Sequence, residues 1–363
     1  MPKTRIKNQK KSQNNRLLVL TLTLTVLGLI ALADASAPIA LSTFNDKFYF
    51  VKQQVVWGLI GIVLMFVFSK VSYTFWEKIA TPIFFFSLLL LALVLFPGFG
   101  ARALGARRWL FLGPISFQPS EFTKLALAIY FAKLTSKGKN VLSYLVPLGI
   151  VAALIMLQPD LGTMISIAII AMSQVFISGI NLLYFIISSV GAGLVGLVLI
   201  LISDYRRQRL LTYLARSQDP LGKDYHIRQI LLGLGSGGMF GVGLGASRQK
   251  YLFLPEAATD SIFAVVAEEV GFVGAVLIIG VFLFFIIEGL KIAKSAPDTF
   301  SRSLSVGLVA WIGGQTFLNI ASMVALVPLT GIPLPFFSYG GSSLTSVLVA
   351  VGILLNISKH EQR

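Results

Sequence analysis

The sequence predicts an all-α polytopic membrane protein with about ten transmembrane helices, on three observations. Of 363 residues, 56% are apolar and only 12% charged, whereas soluble proteins carry about a quarter charged residues. Mean hydropathy is +0.83. The apolar residues gather into runs near the roughly 20-residue length that carries a helix across a bilayer, and the Lys and Arg residues fall in the segments between them.

Taken in order, the chain opens on Lys3, Arg5, Lys7, Lys10, Lys11 and Arg16 with no acid among them, so residues 1–16 read as a basic cytoplasmic tail under the positive-inside rule. Spans are expected near 17–36, 51–70, 79–98, 120–135, 142–158, 160–179, 182–203, 261–287, 303–327 and 340–357. The membrane domain is then a single unit over 17–357, and 358–363 form a second cytoplasmic tail. A cleaved signal peptide is the rival for the first span, because Ala33-Asp34-Ala35 and Ala35-Ser36-Ala37 imitate a cleavage site. The apolar run there exceeds the usual ~7 to 15 residues of a signal, which favours a retained helix. At Gln158-Pro159-Asp160 the alternatives are two helices or one long kinked helix.

With the N-terminus inside, the segments 99–119, 204–260 and 328–339 face outward, and 204–260 makes a large extracytoplasmic loop between helices seven and eight. The first two hold Arg102, Arg107, Arg108, Arg206, Arg207, Arg209, Arg216, Lys223, Arg228, Arg248 and Lys250. Topology alone does not want these cations there, so they are expected to answer something anionic on the outer face. The net charge of +15 is spread over loops rather than one soluble face, which argues against nucleic acid. There is no cysteine, and His226 and His360 are the only imidazoles. Disulfides and thiolate metal sites are excluded, and a zinc mechanism is not expected.

Several polar constellations stand out. Glu256 and Asp260 in "LPEAATDSIF" sit at the start of a long apolar run. If Thr259 caps a helix beginning at Asp260, then Asp260, Ala264, Ala267, Glu268 and Gly271 share a face with an acid near each end, roughly 12 Å apart along the axis. That separation excludes a close acid–base pair. Asp260 could instead be a plain helix-start acid, worth about 0.3 to 1 kcal/mol; Glu268 and Glu269 lie deeper, where ionisable groups are costly and usually paired, protonated or functional. The glycines of "GLGSGGMFGVGLGASRQK" could let backbone amides form an anion nest beside Arg248 and Lys250, or could mark a re-entrant loop. Glu121 and Lys124 lie three apart on one helical face, either neutralising each other or orienting a polar substrate. Trp109 and Phe117 read as interface aromatics. "PLTGIPLPFFSYGGSS", with Ser338 and Ser342, is too rich in proline and glycine for a regular helix, and irregular backbone at membrane depth is tolerated where it lines a cavity.

The stretches "GARRWLFLGPISFQPSEFTKLA", "QPDLGT", "GSGGMFGVGLGASRQKYLFLPEAATDSIFAVVAEEVG" and "PLTGIPLPFFSYGGSS" together resemble the SEDS family (shape, elongation, division and sporulation), more its FtsW branch than its RodA branch. The resemblance covers most of the chain. It implies a ten-span enzyme of the bacterial inner membrane that polymerises lipid II into peptidoglycan glycan strands, with release of undecaprenyl pyrophosphate and no nucleotide. It also implies a class B penicillin-binding transpeptidase as partner, other membrane proteins of cell division or elongation, and a divalent cation, magnesium or manganese. The family's catalytic aspartate falls on Asp260, its Glu-Lys pair on Glu121 and Lys124, and a second-span basic position on Lys52. Arg107, Arg108, Asp160, Arg248, Lys250, Glu256, Ser338 and Ser342 complete the candidate substrate-binding set. Two departures from the family pattern are Ala258, where the family often has His, and Ser261, where it has Phe. A lipid flippase, or a non-catalytic scaffold for the transpeptidase, would use the same cavity without making a bond.

Overall fold

The structure is a computed structural model, and it describes residues 2–96, 98, 100–103, 106–112, 115–202, 207–208 and 225–360. All ten expected spans coincide with helices: α1 (Pro2–Phe44), α2 (Tyr49–Phe68), α3 (Tyr73–Leu93), α4 (Pro119–Ser136), α5 (Leu142–Leu157), α6 (Leu161–Ile177), α7 (Leu182–Ile202), α9 (Ile262–Lys294), α10 (Thr299–Met323) and α11 (Gly341–Lys359). A further helix, α8 (Tyr225–Ser236), lies within the long loop. Among the described residues, seven helices are long and apolar enough to cross a membrane. The remaining spans, α4, α5 and α6, are shorter or more polar, and α4 is buried on almost every side by α3, α6, α10 and α11. The chain is a multi-pass membrane protein.

Local chemistry sets the boundaries that apolar windows misplace. Helix α1 runs back through the basic segment expected to be a tail. Helix α10 starts at Thr299 rather than 303 because Asp298 and Ser301 form a reciprocal capping box. Pro159, at φ +25°, separates α5 from α6, and the Asp160 carboxylate caps α6 by accepting from the Thr163 amide at 3.0 Å. Two helices, not one kinked helix, therefore meet there. The segment expected as an external loop at 99–119 contains an antiparallel sheet, β1 (Gly100–Ala103), β2 (Ala106–Leu112) and β3 (Ile115–Phe117), with Leu110 opposite Phe117. Trp109 and Phe117 sit on its strands.

The first and last spanning helices, α1 and α11, meet at one end of the bundle. Ser358 Oγ donates to Asn14 Oδ1 at 3.2 Å, and Asn356 Nδ2 donates to the Ser69 carbonyl at 3.0 Å. The sheet and the loops 45–48, 158–160, 237–261 and 324–340 lie at the opposite end by helix polarity.

Two of these loops dip inward. Gly28 is about 24 Å along α1 from Phe44 at ~1.5 Å per residue, yet a Cβ there would stand 2.1 Å from the Phe336 carbonyl oxygen. Phe336 and Phe337 are buried against Phe282 and Phe285 of α9, with ring centroids 5.6 Å apart for Phe282–Phe337 and 5.7 Å for Phe285–Phe336. The glycine-rich loop docks where α9 is interrupted: Gly271 adopts φ +71°, ψ −174°, a conformation open only to glycine. The amides of Val242 and Gly243 donate to the Glu268 and Glu269 carbonyls at 3.0 and 3.1 Å, and Phe272 N donates to Gly238 O at 2.9 Å. Backbone groups freed by the helix break are thereby satisfied, as a low-dielectric setting demands.

Candidate active site

Asp260 does not begin a helix. It lies in a turn, α9 starts at Ile262 with Ser261 as its cap, and the expected stripe from Asp260 to Gly271 ends at the helix break. Two elements, α10 and the 324–340 loop, grip the turn by its backbone. Ser338 Oγ donates to the Thr259 carbonyl at 2.5 Å, Asn319 Nδ2 donates to the Asp260 carbonyl at 2.8 Å, and the Tyr339 amide donates to the Ala258 carbonyl at 2.9 Å. Gly331, at φ +70°, lets the 324–340 loop pass close to the carboxylate, since a Cβ there would lie 3.3 Å from Asp260 Oδ2.

The gripping groups are themselves held. Gln54 of α2 donates to Ser338 O at 3.1 Å and accepts from the Gly340 amide at 3.1 Å, while Ser338 Oγ accepts from Leu334 N at 2.8 Å. On α10, Gln315 and Asn319 stand one turn apart and donate to the Pro333 and Ile332 carbonyls, each at 2.8 Å. Ser342, in the first turn of α11, ties that helix to the end of the sheet, accepting from the Gln118 amide at 3.1 Å and donating to the Ser116 carbonyl at 3.4 Å.

The Glu121–Lys124 pair is deeply buried. Lys124 Nζ donates to Glu121 Oε1 at 2.7 Å and to Gln315 Oε1 at 2.9 Å, and it lies 5.1 Å from the centre of the Trp311 ring. Through Gln315 the pair is joined to the loop that holds Asp260. On the sheet, Arg108 of β2 donates to the carbonyls of Gln158 and Pro159 at 3.0 and 2.6 Å and stands 3.9 Å from Asp160. Arg107 donates to Leu95 O at 3.3 Å.

The other candidates are placed differently. Lys52 is exposed and pairs with Asp46 at 2.6 Å; this ammonium and the Phe48 amide hold the Asp46 carboxyl below the usual carboxylate range. Glu256, at φ +53°, accepts from Thr259 Oγ1 at 2.6 Å and is exposed. Lys250 is buried between Asp34 of α1 at 2.6 Å and Glu269 at 2.9 Å, so its charge is committed to two internal carboxylates. The expected anion nest exists, but its anion is the protein's own: Glu268 accepts from the amides of Arg248 and Gln249 at 3.4 and 3.3 Å, from Ser236 Oγ at 3.1 Å and from Ser247 Oγ. The Arg248 side chain is exposed. Arg206, Arg209, Arg216 and Lys223 lie outside the described residues.

Gln54, Gln315 and Asn319 are the positioning residues that the sequence reading passed over. Amide side chains inside apolar runs are costly unless paired, and that was the available signal. Among the described residues no group of three or more histidine, aspartate or glutamate side chains could hold a metal ion. A dedicated cage of three or more such ligands for the expected divalent cation is therefore not assembled by these residues; one or two carboxylates with substrate phosphates would be the alternative donor set.

Comparison with known proteins gives a consistent set of likenesses. A family model described as a cell cycle protein, of FtsW, RodA and SpoVE type, matches residues 15–363. "Stage V sporulation protein E" of Bacillus subtilis (strain 168) is 42% identical, over 98% of this chain and 99% of its own length. "Probable peptidoglycan glycosyltransferase FtsW" of Trichlorobacter lovleyi is 40% identical, over 94% of this chain and 92% of its own. Among solved structures, one from a study of the structural coordination of polymerization and crosslinking by a peptidoglycan synthase complex superposes with a TM-score of 0.78 at 28% identity, covering 95% of this chain and 97% of the other. The rod shape determining protein RodA of Thermus thermophilus gives 0.70 at 28% identity, covering 96% and 97%.

Proposed function

Because the chain belongs to the FtsW, RodA and SpoVE family, it is a peptidoglycan glycosyltransferase, and we propose that it joins lipid II units at its loop-bearing end with Asp260 as general base. The acceptor sugar's 4-hydroxyl attacks the donor's anomeric carbon, the bond from that carbon to the pyrophosphate oxygen breaks, and the hydroxyl proton passes to the Asp260 carboxylate. Such a base contributes typically about 10²- to 10⁴-fold. Positive charge must meet the departing undecaprenyl pyrophosphate. Arg248, whose side chain is exposed, is the proposed cation for that role, with Arg107 and Arg108 of the sheet as further candidates; Lys250 is set aside because its ammonium already serves two carboxylates. Glu121 and Lys124 act from below by fixing Gln315 and the loop above it.

The observation that carries this reading is the clamping of residues 258–260 by α10 and the 324–340 loop through backbone groups. A base must be pre-positioned within hydrogen-bond reach of its proton, and a turn held from two sides supplies that. A crosslinking transpeptidase of the penicillin-binding class is the proposed partner, on the likeness to the synthase complex. The enzyme is proposed to lie in the bacterial inner membrane with both termini cytoplasmic.

The purified full-length protein supplied with lipid II should yield glycan polymer on a gel. Asp260→Ala should reduce the rate by at least about 10²-fold while its melting temperature stays that of the wild type. No polymer from the wild type would overturn the reading; an undiminished rate in the variant would remove Asp260 from it.

A further inference from the structure

Thr259 and Asp260 are fixed by the 324–340 loop and α10, but the next residue is fixed from elsewhere. Ser261 is fully buried, and its hydroxyl lies 2.8 Å from His226 Nε2 on α8. A serine capping a helix ordinarily turns its oxygen to the amides of the first turn. Here Ser261 makes no such side-chain bond, and only its carbonyl accepts, from Ala264 N at 3.0 Å. The cap oxygen is directed to the imidazole, so the start of α9 is held to α8 at the expense of its own cap.

A second polar link of α8 runs to the far side of the glycine loop, from Ser236 Oγ to Glu268 at 3.1 Å. Of the chain's two histidines, His226 is the one that reaches the residue bonded to Asp260, and it does so at Ser261, a position where phenylalanine could accept no hydrogen bond. We propose that His226 is a positioning residue for the transferase reaction: by holding Ser261 it fixes the third side of the turn and so the direction in which Asp260 presents its carboxylate. This rests on the reading of Asp260 as base.

The hold acts on the orientation of the base rather than on substrate affinity, so it belongs to the turnover step. His226→Ala should lower kcat for glycan polymerisation from lipid II about tenfold, equivalent to about 1.4 kcal/mol, with KM within twofold. His226→Gln, whose side-chain amide can still donate to the Ser261 hydroxyl, should recover most of that loss. Ser261→Ala should match His226→Ala, and the double variant should be no slower than either, because both remove one contact. The melting temperature of each variant separates a folding defect from a catalytic one, and His226→Gln still reports if His226→Ala is destabilised. A kcat for folded His226→Ala within twofold of wild type, or independent losses that multiply in the double variant, would overturn the proposal. A wild type that makes no polymer would instead overturn the transferase reading beneath it.

Discussion

Lys124 shows how much a single side chain is asked to do. Its ammonium is almost completely enclosed, with Glu121, Gln315 and the Trp311 face around it. Breaking a buried pair by removing one partner leaves an uncompensated charge, a loss of about 3 to 5 kcal/mol. Lys124→Met should therefore lower the melting temperature sharply, and the double variant Glu121→Gln/Lys124→Met should regain part of it. A double variant no more stable than the single would mean that the pair is not the source of the loss. The Glu-x-x-Lys spacing was legible in the sequence as one helical face, as was the acid of the "TDSIF" stretch. Gln315, nearly two hundred residues away, was not, because only the packing of α10 on α4 brings it to Lys124. The same distance in sequence hid the Lys250–Asp34 contact, and Lys250 was read as a substrate cation for want of it.

At the level of elements, the sequence reading is strongest where apolar length alone decides and weakest where two loops decide together. The run that became α9 was visible, but its interruption was not: nothing local distinguishes Gly271 from Gly274 or Gly280. What distinguishes it is the approach of the glycine-rich loop, whose Gly241 amide would lie 2.2 Å from a Cβ at Gly271. Gly271→Ala should destabilise the protein by at least ~1 to 3 kcal/mol from backbone strain alone and impair polymerisation. Gly280→Ala, in the helix interior with nothing within 4 Å, should leave stability unchanged or raise it by up to about 1 kcal/mol. Thermal unfolding of the two variants side by side tests this, and equal melting temperatures would contradict the docking described. The sheet of β1 to β3 was missed although Gly113-Pro114 separates two apolar stretches, a recognisable hairpin signal.

For the whole molecule, the end where α1 and α11 meet carries Lys70, Lys78, Lys137, Lys139, Lys294 and Arg302, while the loop-bearing end carries cations of its own, Arg107, Arg108, Arg248 and Lys250 among them, so charge distribution leaves the proposed sidedness to a direct test. The chain has no cysteine, so single cysteines can report it directly. Glu256→Cys should react with a membrane-impermeant maleimide in intact cells, and Lys139→Cys only after lysis. Reactivity in the opposite order would invert the proposed orientation.

The burial of Phe336 and Phe337 beside Gly28 has a mechanical consequence. With both rings seated against Phe282 and Phe285, the 324–340 segment is anchored well below its own rim. Any displacement of Ser338 and Tyr339, and with them of the Asp260 turn, must unseat two buried aromatics, so the stiffness of this corner is set by packing at depth and not by the polar contacts at its surface.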